Sequence, residues 1–216
     1  MQADAETLWA VVIGALLATI GGFASSQLEA YLRRRERERS AALLFGELLT
    51  MMRIIMGLAK ETRGRGDPYG PVTMRFLRAA KRETEIYDRN RETLFELRDA
   101  SVRAQIHTLV ARITFSLDGV ADVTSEIAST QRAVAALSPD DTARVEAEAR
   151  LQAMLQDRNA AFDFAVEATQ DIESILAVLT PLARHAFDAH DAVVQNQQAR
   201  QAQQVSAPTE ASASET

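Results

Sequence analysis

Residues 8–24 read Leu-Trp-Ala-Val-Val-Ile-Gly-Ala-Leu-Leu-Ala-Thr-Ile-Gly-Gly-Phe-Ala, with no charge and no strongly polar group. No other stretch constrains the chain as much. As a helix it covers roughly 26 Å, and extension through Thr7 and the Ser25-Ser26 pair approaches the ~30 Å of a hydrocarbon core. A transmembrane anchor over 8–28 is predicted, preceded by a short external N-terminus, 1–7.

A cleaved signal peptide would need a basic start, a shorter apolar core and a small-residue cleavage site. Residues 1–7 instead carry Asp4 and Glu6 and no Lys or Arg, while Arg33, Arg34, Arg35, Arg37 and Arg39 crowd the far end. Lys and Arg near a span favour its cytoplasmic side. The N-terminus is therefore expected outside and everything after Tyr31 inside. The same five arginines form the expected membrane-surface set, each able to gain ~1 kcal/mol from anionic lipid, with Glu36 and Glu38 diluting the effect.

The chain of 216 residues, less the anchor and a polar tail, leaves material for one domain. A formal net charge of −6 argues against a general nucleic-acid binder, which needs a basic excess to displace counterions from phosphates. No nucleic-acid partner is expected. With no cysteine, neither a disulfide framework nor a thiolate metal site is available.

Within the anchor, Gly14, Ala18, Gly22 and Ser26 recur every four residues and so share one helical face. Such a ladder lets two helices approach closely in lipid, which would pair two copies of the chain as a homodimer. Gly and Ala are also simply frequent in membrane helices, which is the competing account.

Residues 41–59 are apolar enough to resemble a second span, but Gly46, Glu47, Thr50, Arg53, Gly57 and Lys60 recur every three or four residues as a polar stripe. Glu47 and Arg53 in hydrocarbon would cost several kcal/mol. A water-soluble helix buried on most of its surface is expected, so that 29–60 forms a basic juxtamembrane segment and buried helix. Gly64, Gly66, Pro68, Gly70 and Pro71 then make 61–73 a loop. Its Arg65-Gly66-Asp67 is read as chance, and its glycines lack the Gly-Lys-Ser/Thr of a phosphate loop.

A helix is predicted from about Met74 to Ile86, with a break at 87–90 where Asp88 or Asn90 would cap the next helix. From Val102 the apolar positions Val102, Ile106, Leu109, Ile113, Val120, Val123, Ile127, Val134 and Leu137 step by four and three, interrupted only by Ser116 and Thr130. This is a coiled-coil-like heptad. Ser138-Pro139-Asp140-Asp141 reads as a reversal, with Ser138 as N-cap and Pro139 in the first turn of the returning helix. Leu151, Leu155, Phe162, Ala165, Ile172, Leu176, Leu179 and Ala183 continue a matching seam, and Pro181 is expected to kink or end that arm. The fold class predicted is all-α: an N-terminal transmembrane helix followed by a helical bundle over 74–193, dominated by a long antiparallel hairpin turning at 138–141. The tail 194–216 is too polar to fold alone.

No set of residues spells out a chemistry. His185, Asp188, His190 and Asp191 lie near one another, but the two histidines are five apart and do not share a helical face as a two-His metal grip requires. His107 neighbours the seam and is read as a boundary residue. Neither catalytic residues, a metal nor a cofactor are expected, and the chain is not expected to be an enzyme.

The order of N-out span, arginine cluster, Ala41-Ala42-Leu43-Leu44 helix and Tyr87-Asp88-Arg89-Asn90 with Leu94 and Leu97 before a long helix resembles uncharacterised bacterial single-pass inner-membrane proteins with a cytoplasmic helical domain. The resemblance covers roughly the first 120 residues. It implies a bacterial inner-membrane setting and no particular activity. The expected function is that of a non-enzymatic interaction or scaffold protein presenting a cytoplasmic helical hairpin to an unidentified protein partner. A reversed topology would make the hairpin a periplasmic tether, and polar side chains converging inside the core would bring back a membrane-bound enzyme.

Overall fold

The computed structural model describes residues 2–138 and 141–187, with side chains omitted for 2–13, 15 and 18. Five α-helices carry the fold: α1 (Gln2–Arg63), α2 (Pro71–Arg89), α3 (Ala100–Ala136), α4 (Thr142–Ala168) and α5 (Ile172–Ala183). Short 3-10 segments at Arg91–Glu96 and Thr169–Asp171 link them, and no strand occurs among the described residues. The architecture is all-α, one long apolar N-terminal helix running into a helical bundle.

α1 is unbroken for 62 residues, about 93 Å at 1.5 Å per residue. Its second half is the centre of the bundle. Ala41, Ala42, Phe45, Leu49, Met52, Met56 and Ala59 are buried beneath α2 and α5. The polar stripe is used unevenly. Glu47, Gly57 and Lys60 are exposed, and Arg53 pairs with Glu173 on α5. Gly46 and Thr50 are covered, Thr50 donating its hydroxyl to the Gly46 carbonyl at 2.8 Å. Gly46 has a packing reason to lack a side chain: a Cβ there would lie 2.0 Å from the Phe187 ring, which closes over this point of α1.

α1 continues to Arg63, so the expected loop contracts to residues 64–70, where Gly66 adopts a φ of 139° closed to most other residues. Pro71 then opens α2 at its first turn, where a missing N–H costs nothing. α2 runs to Arg89, further than sequence periodicity indicates, because Thr84 and Tyr87 still face the core. The cap of α3 is Asp99 rather than Asp88 or Asn90. Its carboxylate accepts from the N–H groups of Ser101 at 2.7 Å and Val102 at 3.4 Å. The 3-10 segment in between delays the helix start beyond the earlier candidates.

α3 and α4 pack antiparallel as the predicted hairpin. Ile106, Leu109, Ile113, Ser116, Val120 and Ile127 are buried along α3, and Met154, Phe162, Ala165 and Ala168 along α4. Crossing contacts from Thr130 to Met154 and from Arg112 to Asp171 fix the register. The returning helix is capped by Asp141, which accepts from Ala143 N–H at 2.9 Å, and not by Ser138. Pro139 and Asp140 lie outside the described residues.

The returning arm does not stay on α3. It bends at Thr169–Asp171, and α5 packs mainly on the buried half of α1. Pro181 is accommodated within α5 two residues before its end, where only one intrahelical bond is forfeited, so the bend lies ten residues earlier than a proline-based reading places it. The helix closes on Arg184 in the left-handed region at φ 53°.

Candidate membrane-proximal site

From residue 14 to 32 the described side chains of α1 project from the bundle with nothing among the described residues covering them. Leu16, Leu17, Ile20, Phe23, Leu28, Tyr31 and Leu32 are each at least half exposed. Gly14, Gly22 and Ser26 lie on the same projecting helix. A Cβ at either glycine would meet open space, and Ser26 returns its hydroxyl to the Phe23 carbonyl at 2.8 Å. The fourth member of the ladder, Ala18, has its side chain outside the described set. Among the described residues α1 is the one helix long and apolar enough to cross a membrane. Its most apolar window within Thr19–Arg63 has mean hydropathy 1.7 and is 56% buried. That burial falls on 41–59, inside the bundle.

Between the two halves sit the five arginines, and the fold gives them different work. Arg33 pairs with Glu29 one turn back. Arg34 makes no ion pair among the described residues. Arg37 reaches Glu96 at 3.5 Å. Arg39 donates from Nε to the Ala183 carbonyl at 3.2 Å, placing a cation on the C-terminal end of α5, where it complements the helix dipole. Arg35 and Arg39 line an open cleft with Pro181, Leu182 and Arg184.

On another flank the segment between α2 and α3 is pinned to α1. Leu94 and Leu97 are buried, and the three-residue repeat of a 3-10 turn that places them on one side leaves Phe95 outside at 75% exposure. The Glu38 carboxylate, itself 12% exposed, accepts from the Arg98 backbone N–H at 3.2 Å and forms an ion pair with its Nε at 3.3 Å. Arg98 also lies over the Tyr31 ring, 5.8 Å from its centroid. Arg103 donates to the Leu97 and Arg98 carbonyls at 2.6 and 3.1 Å. Arg34, Arg37, Arg98 and Arg103 thus surround one open cleft beside Phe95, with Glu96 as the acid among them. Arginine stays protonated in proteins, so this arrangement carries fixed positive charge and does not move protons.

A second polar cluster lies at the opposite end of the bundle. Tyr69 donates to Asn159 Oδ1 at 2.9 Å, Arg158 stacks on the Tyr69 ring at 3.7 Å, and Arg63 lies over Phe162 at 4.4 Å while pairing with Asp163. Burial raises the Tyr69 pKa, opposed by the Arg63 and Arg158 charges, and burial lowers that of Arg158. The ring contacts and hydrogen bonds lock the 64–70 turn onto α4. A phenol held further from ionisation keeps its proton to donate to Asn159, so the cluster reads as a latch.

Elsewhere, the Tyr87 hydroxyl meets His107 Nδ1 at 2.9 Å, giving that boundary histidine a partner across the α2–α3 contact. His185 packs edge-on against Phe187, ring centroids 5.4 Å apart. Asp188, His190 and Asp191 lie outside the described residues, as does the tail 194–216. No group of three His, Cys, Asp or Glu able to hold a metal occurs among the described residues.

Sequence reasoning singled out the arginines of α1 but not Phe95, Arg98, Arg103 or Arg184, which other elements bring beside them. One signal was present: in Leu94-Phe95-Glu96-Leu97 a tight turn can bury two of the three apolar residues, not all. In comparisons with known proteins, no family model, no curated protein and no solved structure matches the chain.

Proposed function

We propose that this chain is a single-pass membrane-anchored, non-enzymatic interaction or scaffold protein of a bacterial inner membrane, which presents its helical hairpin to a protein partner on the cytoplasmic side. The observation that carries the reading is the contrast within α1: Leu16, Leu17, Ile20, Phe23 and Leu28 project beyond the bundle uncovered, an arrangement that water disfavours and a bilayer accepts. The arginines at the junction support the orientation, since Lys and Arg beside a span remain on the cytoplasmic side. The hairpin supports the interaction role. Beyond Ile127 and Met154 its two helices meet no third layer among the described residues, leaving both outer faces open there.

Topology is the test. A fluorescent reporter fused to the C-terminus is expected to be bright and a phosphatase fusion there inactive. An active phosphatase reverses the orientation and makes the hairpin a periplasmic tether. Release of the whole chain by carbonate washing, without detergent, removes the anchor from the proposal altogether.

A further inference from the structure

The geometry points to a second membrane contact, made by the bundle itself: we propose that Phe95 and the arginine-lined cleft beside it rest on the anionic phospholipid headgroups of the bilayer that holds α1. The inference rests on the anchor reading and adds to it a lipid-facing surface contributed by residues more than sixty positions downstream of the span.

Position comes first. The Arg91–Glu96 segment is tied to α1, because Glu38 holds Arg98 through one hydrogen bond and one ion pair and Arg37 reaches Glu96. Arg98 also covers the Tyr31 ring, so the connection descends to the end of the projecting apolar surface. Tyrosine is favoured at headgroup level. Counting from Tyr31 along a helix, Arg34 lies about 4.5 Å and Arg37 about 9 Å further out. The polar layer on each side of the hydrocarbon is roughly 5–8 Å thick, the difference between ~30 Å and ~40–45 Å shared between two faces. The cleft lined by Arg34, Arg37 and Phe95 therefore sits at the depth of phosphate groups.

Chemistry comes second. Phe95 is 75% exposed on a turn whose other apolar residues are buried, and nothing in the bundle covers it. Around it stand four guanidinium groups, of which Arg34 has no ionic partner among the described residues, Arg103 is met only by carbonyl oxygens, and Arg37 has a long contact. An aromatic ring beside four arginines, two of which have no carboxylate partner among the described residues, on a chain of net charge −6 matches a surface that is apolar below and negative above. Tethering by α1 makes the contact intramolecular, so a few weak attractions are enough to hold it.

The chain has no native cysteine, so single cysteines can report depth in the full-length protein. Phe95→Cys, Phe115→Cys and Ile20→Cys would each be labelled with a small environment-sensitive dye and reconstituted in nanodiscs. One set holds phosphatidylcholine alone and another includes phosphatidylglycerol; both contain a lipid spin-labelled near its headgroup. Phe115 is the water control, 79% exposed and about 22 Å further along α3 from its start. Quenching at position 95 is expected to exceed that at 115 at least threefold in anionic discs. It should drop in phosphatidylcholine alone and when Arg34→Gln and Arg103→Gln are combined. Position 20 should read as membrane throughout. Water-like quenching at 95 with membrane-like quenching at 20 overturns this inference and leaves the anchor standing. Equal quenching at 95 in both lipids removes the role of the arginines and overturns it equally. Water-like quenching at 20 brings down the anchor reading itself.

Discussion

One helix contains two apolar stretches with opposite surroundings. Along 41–59 of α1, Phe45, Leu49, Met52 and Ala59 are completely covered, whereas along 16–32 every described side chain is exposed. Hydropathy alone does not separate them, since the most apolar window in the described part of α1 is largely the buried one. The polar residues separate them. The covered stretch carries Glu47, Thr50 and Arg53, which need water or a partner and find both, in solvent and at Glu173. The projecting stretch has Thr19, Ser25 and Ser26 as its polar side chains from 14 to 26 and no charge, with Ser26 satisfied by its own backbone. Where each apolar run finds its cover is decided by what few polar groups it must also satisfy.

Truncation of a ring tests that difference most strongly. Phe45→Ala should destabilise the bundle by ~3–5 kcal/mol, because Phe45 is fully buried and stacks near Tyr87 at 6.0 Å. Phe23→Ala should shift it by less than ~0.5 kcal/mol. Chemical denaturation in nanodiscs, followed by circular dichroism, measures both. Similar losses would mean that the projecting half packs against protein after all.

A single charge sharpens the contrast next. Ile20→Arg places a cation in the proposed span, at ~2.5–3.5 kcal/mol on the insertion scale, and should lower the membrane-retained fraction. Gly57→Arg puts the same charge on the exposed stripe, where an added side chain meets nothing within 4 Å. There it should leave folding intact or raise stability by up to ~1 kcal/mol through helix propensity. A membrane defect from Gly57→Arg would place 41–59 in lipid.

Gly46 probes the seam between the covered half and the C-terminal strap. Gly46→Ala drives a methyl into the Phe187 ring and should cost ~1–3 kcal/mol. With Phe187→Ala present, the same change should become neutral or favourable. Additive losses in the double variant would show that the ring is not what Gly46 accommodates.

Much of this layout is legible in the chain. The apolar run, the α3 seam and the reversal near 138–141 follow from periodicity and from turn residues, which are local signals. The bend at Thr169–Asp171 and the transfer of α5 onto α1 are not. Ile172, Leu176, Leu179 and Ala183 keep the right period for either neighbour, and only the competition between two apolar faces decides. The arginine-lined cleft was half legible. Five arginines adjoin the apolar run in sequence, but Phe95, Arg98 and Arg103 join them through Glu38, whose carboxylate looks in the sequence like dilution of a basic run and acts in the fold as its fastening.

The smallest expected effect concerns Glu83 on α2, the helix that covers the buried half of α1. Burial raises its carboxyl pKa above the ordinary 4.5, with no cation offsetting the change. A folded-state pKa above the unfolded one contributes stability that is fully present below pH 4.5 and is lost as pH rises through the folded value. At pH 7 ionising this carboxyl costs more in the fold than in the unfolded chain, because burial strips it of water, so Glu83→Gln should raise the denaturation midpoint there. Near pH 4 the acid is mostly neutral in both states and the two proteins should converge, while all other carboxylates are shared and cancel in the difference. An equal gap at both pH values would assign the effect to the amide and not to desolvated charge. The dehydration that Glu83 experiences is imposed within the bundle, whereas the described side chains of the projecting half of α1 have no protein layer that could impose it.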